Sequence, residues 1–312
     1  MWRKFTFLRV SHFFRNTTAG AAVLTGCAGA QALYLQRRYE PLPEARGPLS
    51  GVARSAQQAR TTTEAPRLPF GSSRLEASSL DPLLPRLPPR GRKNILFVGD
   101  SLITGVGCSQ ERSHGPALPR AVAEFLSKAL RVDVSWVAIG ETAADVRALR
   151  TNLVPLLSRE VEAMRERGQH VDAVVIICGL NDFKNAYRSA GNTASDFRTE
   201  LSSLVGEVKQ HAGVQCTVVL PALPIHRAPV FDGIWPLQSF LGRVAALWDE
   251  QKAHLAHRLR CVAYVRNAER DEWWSGKQYW AVDGIHPNDE GYRIWGEHIA
   301  HGILPHLVPV PS

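Results

Sequence analysis

Asn94-Ile95-Leu96-Phe97-Val98-Gly99-Asp100-Ser101-Leu102 is an apolar run that stops at a glycine and two polar residues. A run this short, apolar on both faces and closed by glycine, has the profile of a buried parallel strand. Ser101 then stands where the chain leaves a sheet. The segments on either side decide whether such a sheet exists.

Downstream, Ala117–Leu130 has a helical period, with Pro116 and Pro119 around its first turn, where proline is tolerated. Val132–Ile139 reads as a second strand ending in Gly140. Ala143–Arg167 carries Val146, Leu149, Leu153, Leu156 and Leu157 on one helical face, and Pro155 predicts a kink or break within it. Ala173–Cys178 is a third strand. Thr193 and Asp196 form a capping-box pattern opening a helix to about His211. Cys216–Leu220 is a fourth strand, Leu237–Leu259 a helix, Cys261–Val265 a fifth strand and Asp289–Leu304 a closing helix. This alternation predicts an α/β fold: a parallel sheet of about five strands, joined by right-handed crossovers and covered on both faces. Function in such sheets gathers at the carboxyl ends of the strands.

Upstream, the composition changes. Residues 1–90 carry 13 Lys/Arg against 5 Asp/Glu, while residues 91–312 carry 24 of each. The formal charge of +8 therefore belongs to the N-terminal third, and the neutral remainder gives nucleic acid no electrostatic footing. Residues 1–39 contain no acid and interleave Arg3, Lys4, Arg9 and Arg15 with Trp2, Phe5, Phe7, Phe13 and Phe14, as an organelle leader of mitochondrial type does. Residues 16–36 are uncharged and long enough for a membrane anchor, although poor in Leu and Ile. Leu24-Thr25-Gly26-Cys27 offers the rival of secretion or lipid attachment at Cys27. Residues 40–91, dense in proline and arginine, read as a linker, residues 92–308 as the domain and 309–312 as a tail. The leader and linker are expected to do no chemistry. Five scattered cysteines with no CxxC pair favour neither a zinc site nor a disulfide framework.

Several strand ends carry polar or glycine residues: Ser101, Gly140 and Asn181-Asp182, with Asp283-Gly284-Ile285-His286-Pro287 after the last strand. Singly, each has an ordinary reading as a helix cap, a turn, a backbone glycine or a surface histidine. Jointly they meet the needs of acyl transfer. A serine hydroxyl needs a base, the base needs a carboxylate to fix its tautomer, and the tetrahedral intermediate needs donors aimed at its oxyanion. His286 can serve as base. The amides of Ser101 and Gly140 and the Asn181 side chain can serve as donors.

GDSL at 99–102, Gly140, GLND at 179–182 and DGIHP at 283–287 together resemble the ordered blocks of the SGNH (GDSL) hydrolases. The resemblance spans about residues 92–308. It implies a flavodoxin-like three-layer α/β/α fold and carboxylic ester hydrolysis without a metal or cofactor. It implies Ser101 as nucleophile, His286 as base, Asp283 as the orienting acid, and Ser101, Gly140 and Asn181 as the oxyanion hole. Glu141 departs from the smaller neutral residue expected after Gly140, which bears on pocket polarity. The substrate classes left open are a short acyl ester, an acyl lipid and an acylated sugar.

Other signals rank lower. Asp100 and Asp182 compete with Asp283 as the acid, although capping or bracing of their turns suits them better. His298 and His301 lack a third ligand for a metal. Trp273, Trp274, Tyr279 and Trp280, with Leu102, Phe183, Ile225 and Trp235, are candidates for an acyl pocket or for plain packing. The same residues would also serve an acyltransferase. A flavin-binding protein and an inactive interaction module are the rivals from other classes.

Overall fold

The computed structural model describes residues 23–55, 91–188, 193–267 and 276–308. Residues 23–38 are helical (α1). The remaining main elements are β1 (Ser50–Ala53), β2 (Lys93–Gly99), α2 (Ser101–Thr104), α3 (Ala117–Leu130), β3 (Val134–Gly140), α4 (Val146–Ala148), α5 (Val154–Glu166), β4 (Ala173–Ile177), α6 (Leu180–Arg188), α7 (Ala194–Ala212), β5 (Thr217–Pro221), α8 (Leu237–Arg258), β6 (Val262–Val265) and α9 (Asp289–Leu307). Each strand from β2 to β6 lies within two residues of its predicted start and one of its predicted end. Between α4 and α5 the chain makes a π-helical turn at Leu149–Leu153, and α5 restarts one residue before Pro155, where the missing amide costs nothing. The Thr193–Asp196 capping box is formed in both directions.

The six strands run in the order β1-β3-β2-β4-β5-β6. All neighbours pair in parallel except β1, which is antiparallel to β3. Counted without β1, the order is the flavodoxin-like 2-1-3-4-5, whose switch point lies beside the first strand of the parallel set. The five parallel strands β2–β6 are as expected, and among the described residues a sixth strand joins them antiparallel. The sixth, β1, comes from within the stretch expected to be linker, whose proline-rich composition hides a four-residue strand. The rest of that linker, residues 56–90, lies outside the described residues, as do residues 1–22 of the leader.

Sequence spacing explains the two covering layers. Leu118, Val122 and Leu126 on α3 and Tyr292, Trp295, Ile299 and Ile303 on α9 recur at helical spacing and bury against Ile95, Phe97 and Val175. On the other face, Leu157, Val161 and Met164 of α5 and Leu201, Leu204 and Val208 of α7 cover Leu96, Val98 and Val174. Each such fully buried side chain contributes roughly 1.5–3 kcal/mol. With both faces covered, β2 has no polar position between Ile95 and Val98, and the next polar side chains are Asp100 and Ser101, just past its carboxyl end. Gly99 pairs level with Gly140 and with Ile177, so the three strand exits open side by side.

Among the described residues, no helix is long and apolar enough to cross a membrane. The anchor expected over residues 16–36 is not found in its described part. There, α1 lies on the protein, with Ala28 buried against Leu237 and Leu241 of α8. Gln31 is hydrogen-bonded to the Trp235 carbonyl at 2.8 Å and to the Leu237 amide at 3.2 Å.

Candidate active site

Asp100 turns the chain from β2 into α2. Its side chain caps α2 by accepting from the Leu102 amide at 3.1 Å, and burial pushes its carboxyl pKa up. Ser101 is the first residue of that helix, so its amide has no intrahelical acceptor and faces the open end of the sheet. Gly140 ends β3 beside it. A side chain at 140 would meet Thr104 Cγ2 at 2.8 Å and the Thr104 nitrogen at 3.0 Å. Only glycine lets α2 approach this closely.

The loop from Ala281 to Pro287 is closed by the Ala281 amide on the His286 carbonyl at 2.8 Å and by a bridge between Trp280 and Pro287. Asp283 organises its interior. Its Oδ1 accepts from the amides of Ile285 at 2.9 Å and His286 at 3.0 Å, which leaves Oδ2 aimed at the imidazole. The loop seats against the turn after α2, where Gly107 has φ +93 and a Cβ would lie 2.5 Å from the Pro287 carbonyl.

These constraints put three side chains in line. His286 Nε2 lies 3.0 Å from Ser101 Oγ, and His286 Nδ1 lies 2.6 Å from Asp283 Oδ2. Burial alone would raise the Asp283 pKa, but the His286 ring and the two loop amides hold it below the ordinary carboxylate value. An ionised Asp283 accepts a hydrogen bond from Nδ1–H, so Nε2 is an acceptor facing the Ser101 hydroxyl. The Asp283 and His286 side chains are only 4% and 8% exposed, which shields the pair from water.

The competing acids lie elsewhere. Asp182 Oδ1 accepts from the Val146 amide at 3.0 Å, so this carboxylate braces the start of α4 and does not face His286. Burial, with the neighbouring Asp145 charge, pushes its pKa up to about 7. Asn181 and Asp182 are not a turn but the first residues of α6. Asn181 Nδ2 donates to Ala144 O at 3.0 Å and to Asp100 Oδ2 at 3.2 Å, while its oxygen accepts from Lys184 at 3.1 Å. Glu141 is turned away, with both carboxylate oxygens taking Asn152 Nδ2. Its charge is directed away from the serine.

Beside His286 lies a shallow apolar hollow, open to solvent and lined by Leu102, Leu180, Leu223, Ile225, Trp280 and Ile285. Sequence reasoning named Leu102, Ile225 and Trp280 but missed the other three. Phe183 lines a second hollow that shares Leu180, Leu223 and Ile225 and ends at Lys252, which donates to Pro221 O and pairs with Asp249. Lys252 was also missed; its signal was a position four residues after Trp248 and three before Leu255, on an apolar stripe. Trp235 is 65% exposed and lines neither hollow. Trp273 and Trp274 lie outside the described residues. Tyr279 packs on the core. His298 bonds to the Arg266 carbonyl at 2.6 Å and His301 meets the Phe125 ring at a tilt of 54°, and no group of three metal-ligating side chains occurs among the described residues. Cys108, Cys178 and Cys216 are buried thiols, and Cys27 and Cys261 are exposed.

The profile of the GDSL-like Lipase/Acylhydrolase family matches residues 97–294. The chain belongs to that family. It is an esterase of the SGNH hydrolase type. No curated protein sequence matches the chain. Among solved structures it is similar to the lipase/acylhydrolase of Enterococcus faecalis, with 21% identity over 70% of this chain and 100% of that one, at a TM-score of 0.47. A Corynascus thermopiles carbohydrate esterase family 2 enzyme is 18% identical over 72% of this chain and 69% of that one, at 0.48. A Clostridium thermocellum family 3 carbohydrate esterase is 16% identical over 70% and 98%, at 0.45. Likeness at this level says nothing of substrate.

Proposed function

We propose that this esterase cleaves its substrate through an acyl-enzyme on Ser101, and that the acyl group it takes is apolar. The carrying observation is the chain from Ser101 Oγ through His286 to Asp283, at 3.0 and 2.6 Å. As the hydroxyl oxygen attacks the ester carbonyl, its proton passes to Nε2, and Asp283 balances the imidazolium. The amides of Ser101 and Gly140 are assigned to the oxyanion, with Asn181 as third donor. Its longer bond, to Asp100, is the one that exchanges acceptor. Nε2 then returns the proton to the leaving alcohol, and the cycle repeats with water as nucleophile.

The apolar-acyl reading is supported by the wall of the hollow beside His286, where a sugar would find few hydrogen-bonding groups. A fluorophosphonate probe is expected to label the full-length protein and not Ser101→Ala; equal labelling of both would sink the serine reading. On p-nitrophenyl esters from acetyl to octanoyl, kcat/KM is expected to rise by up to about fourfold per added methylene until the hollow is full. An optimum at acetyl would overturn the apolar reading alone. We also propose that residues 1–39 act as an organelle leader, on their basic, aromatic and acid-free composition. A reporter fused after residue 91 is expected to leave the cytosol.

A further inference from the structure

The sequence predicts an inert spacer from residue 40, yet residues 45–49 are fastened beside the carboxyl end of the sheet before β1 runs back along β3. The Ala45 amide donates to the Thr104 carbonyl at 3.0 Å, and the Gly115 amide to Arg46 O at 3.1 Å. The Ala138 amide donates to Leu49 O at 2.7 Å, immediately before β1 joins β3. Upstream, Gln31 fastens α1 beside Leu237, on the connection that follows β5. The chain therefore passes from the β5 side of the sheet to the β3 side, and β4 and β2 lie between them. Residues 38–44 must cross the strand exits where Ser101 stands. The hydroxyl of Tyr39, at the start of this crossing, has its pKa raised by burial and by the nearby charge of Asp283.

At the far end of the crossing, Glu44 enters a chain of hydroxyls. Thr142 Oγ1 donates to Glu44 Oε1 at 2.5 Å and lies 2.8 Å from Thr104 Oγ1. Thr104 Oγ1 is also 3.3 Å from the Ser101 carbonyl. A threonine hydroxyl has one proton to give. Because Thr142 donates its hydroxyl hydrogen bond to Glu44, Thr142 becomes the acceptor for Thr104, and Thr104 directs its own hydrogen to the shorter bond. The Ser101 carbonyl keeps its backbone donors, the amides of Gly105 and Val106. Thr104 is the residue against which Gly140 packs, so the same chain sets the spacing between the Gly140 turn and the helix bearing Ser101.

We propose that Glu44 is a positioning residue for ester cleavage, acting through Thr142 and Thr104 on the Gly140 turn and on α2. This rests on the reading of Ser101 as nucleophile. The test uses the full-length protein and a soluble p-nitrophenyl ester, with kcat, KM and thermal midpoint measured for Glu44→Ala, Glu44→Gln, Thr142→Val and the Glu44→Ala/Thr142→Val double variant. The bond lies at the surface, so the expected effect is modest. Glu44→Ala should lower kcat about fivefold with KM and midpoint nearly unchanged. Glu44→Gln, which keeps an acceptor oxygen for Thr142, should restore most of the rate. The double variant should be no slower than the slower single one, because both break one chain. Unchanged kcat in Glu44→Ala overturns the proposal, as does a loss that follows the midpoint, a Gln variant as slow as Ala, or additive single effects. Ser101→Ala is run alongside. If it keeps turnover, the serine reading fails and the Glu44 role falls with it; if it is inactive while Glu44→Ala is normal, only the Glu44 role is lost.

Discussion

The loop at 281–287 and the start of α6 at 179–182 both meet the sheet at its carboxyl end, and each presents an aspartate beside a side chain proposed to act on the ester. Asp283 receives two loop amides and the His286 ring, and these hold it ionised despite burial. Asp182 receives the Val146 amide on one oxygen only, while its Oδ2 is buried without a partner, and its pKa is pushed up to about 7. Asp182 is the more deeply buried of the two and meets fewer donors, and both differences raise its pKa while that of Asp283 is held down. The well-solvated count of donors at Asp283 suits a group that must stay charged through turnover. The shortage at Asp182 suits a brace that can carry a proton.

The sharpest way to break this contrast is to neutralise each acid. Asp283→Asn is expected to lower kcat by about three decades with folding intact. In a serine protease triad the same change costs about four decades by fixing the wrong tautomer. If Asp283→Asn keeps wild-type turnover while Asp182→Asn loses it, the two acids have been given each other's roles. A smaller effect is expected at Asn181, which links the two regions through Asp100. Asn181→Ala should lower kcat by about two decades. It also leaves the buried Asp100 carboxylate short of a donor, so the thermal midpoint must be read with the rate. A fall in midpoint with kcat preserved in the folded fraction would make Asn181 a brace and not an oxyanion donor.

The smallest effect separates the acids by pH. Between about pH 4 and pH 7, folded Asp182 keeps a proton that the unfolded chain has released, so its contribution lowers stability as pH rises through that window. The midpoint of Asp182→Asn minus that of wild type should therefore climb from pH 4 to 7 and level off above. Asp283 has the opposite sign: its lowered pKa adds stability above the unfolded value, lost as pH falls through the folded one. The corresponding difference for Asp283→Asn should narrow as the solution is acidified. Parallel curves for the two variants would erase the distinction.

Much of this could be read from residues alone. Periodicity located five strands and the long helices because both faces of the sheet are apolar, and Pro155 marked the break before α5. The joint presence of Ser101, Asp283 and His286 was visible because acyl transfer needs those residue types together. That α6 begins at Leu180 was not legible, since Asn and Asp suit a turn and a helix's first residues equally. Glu44, Thr142 and β1 left no signal: exposed polar residues carry no period, and a four-residue edge strand among prolines resembles any loop. Lys252 was hidden for the reverse reason. Its charge suggests solvent, while its buried head is satisfied by Pro221 O and Asp249.

One consequence of β1 reaches past catalysis. Antiparallel to Val134–Val137, it occupies the outer flank of β3, one of the two margins of the sheet. The opposite margin, β6, is only four residues long. A protein trimmed to begin at Arg92 would lay bare the outer edge of β3 over Val134–Ala138, with its outward-facing backbone groups unpaired while the other edge stays on β2. Such a flank is a template for a second copy. The short antiparallel segment therefore acts as a guard against self-association, and trimmed protein should clump as its concentration rises, while the full chain stays dispersed.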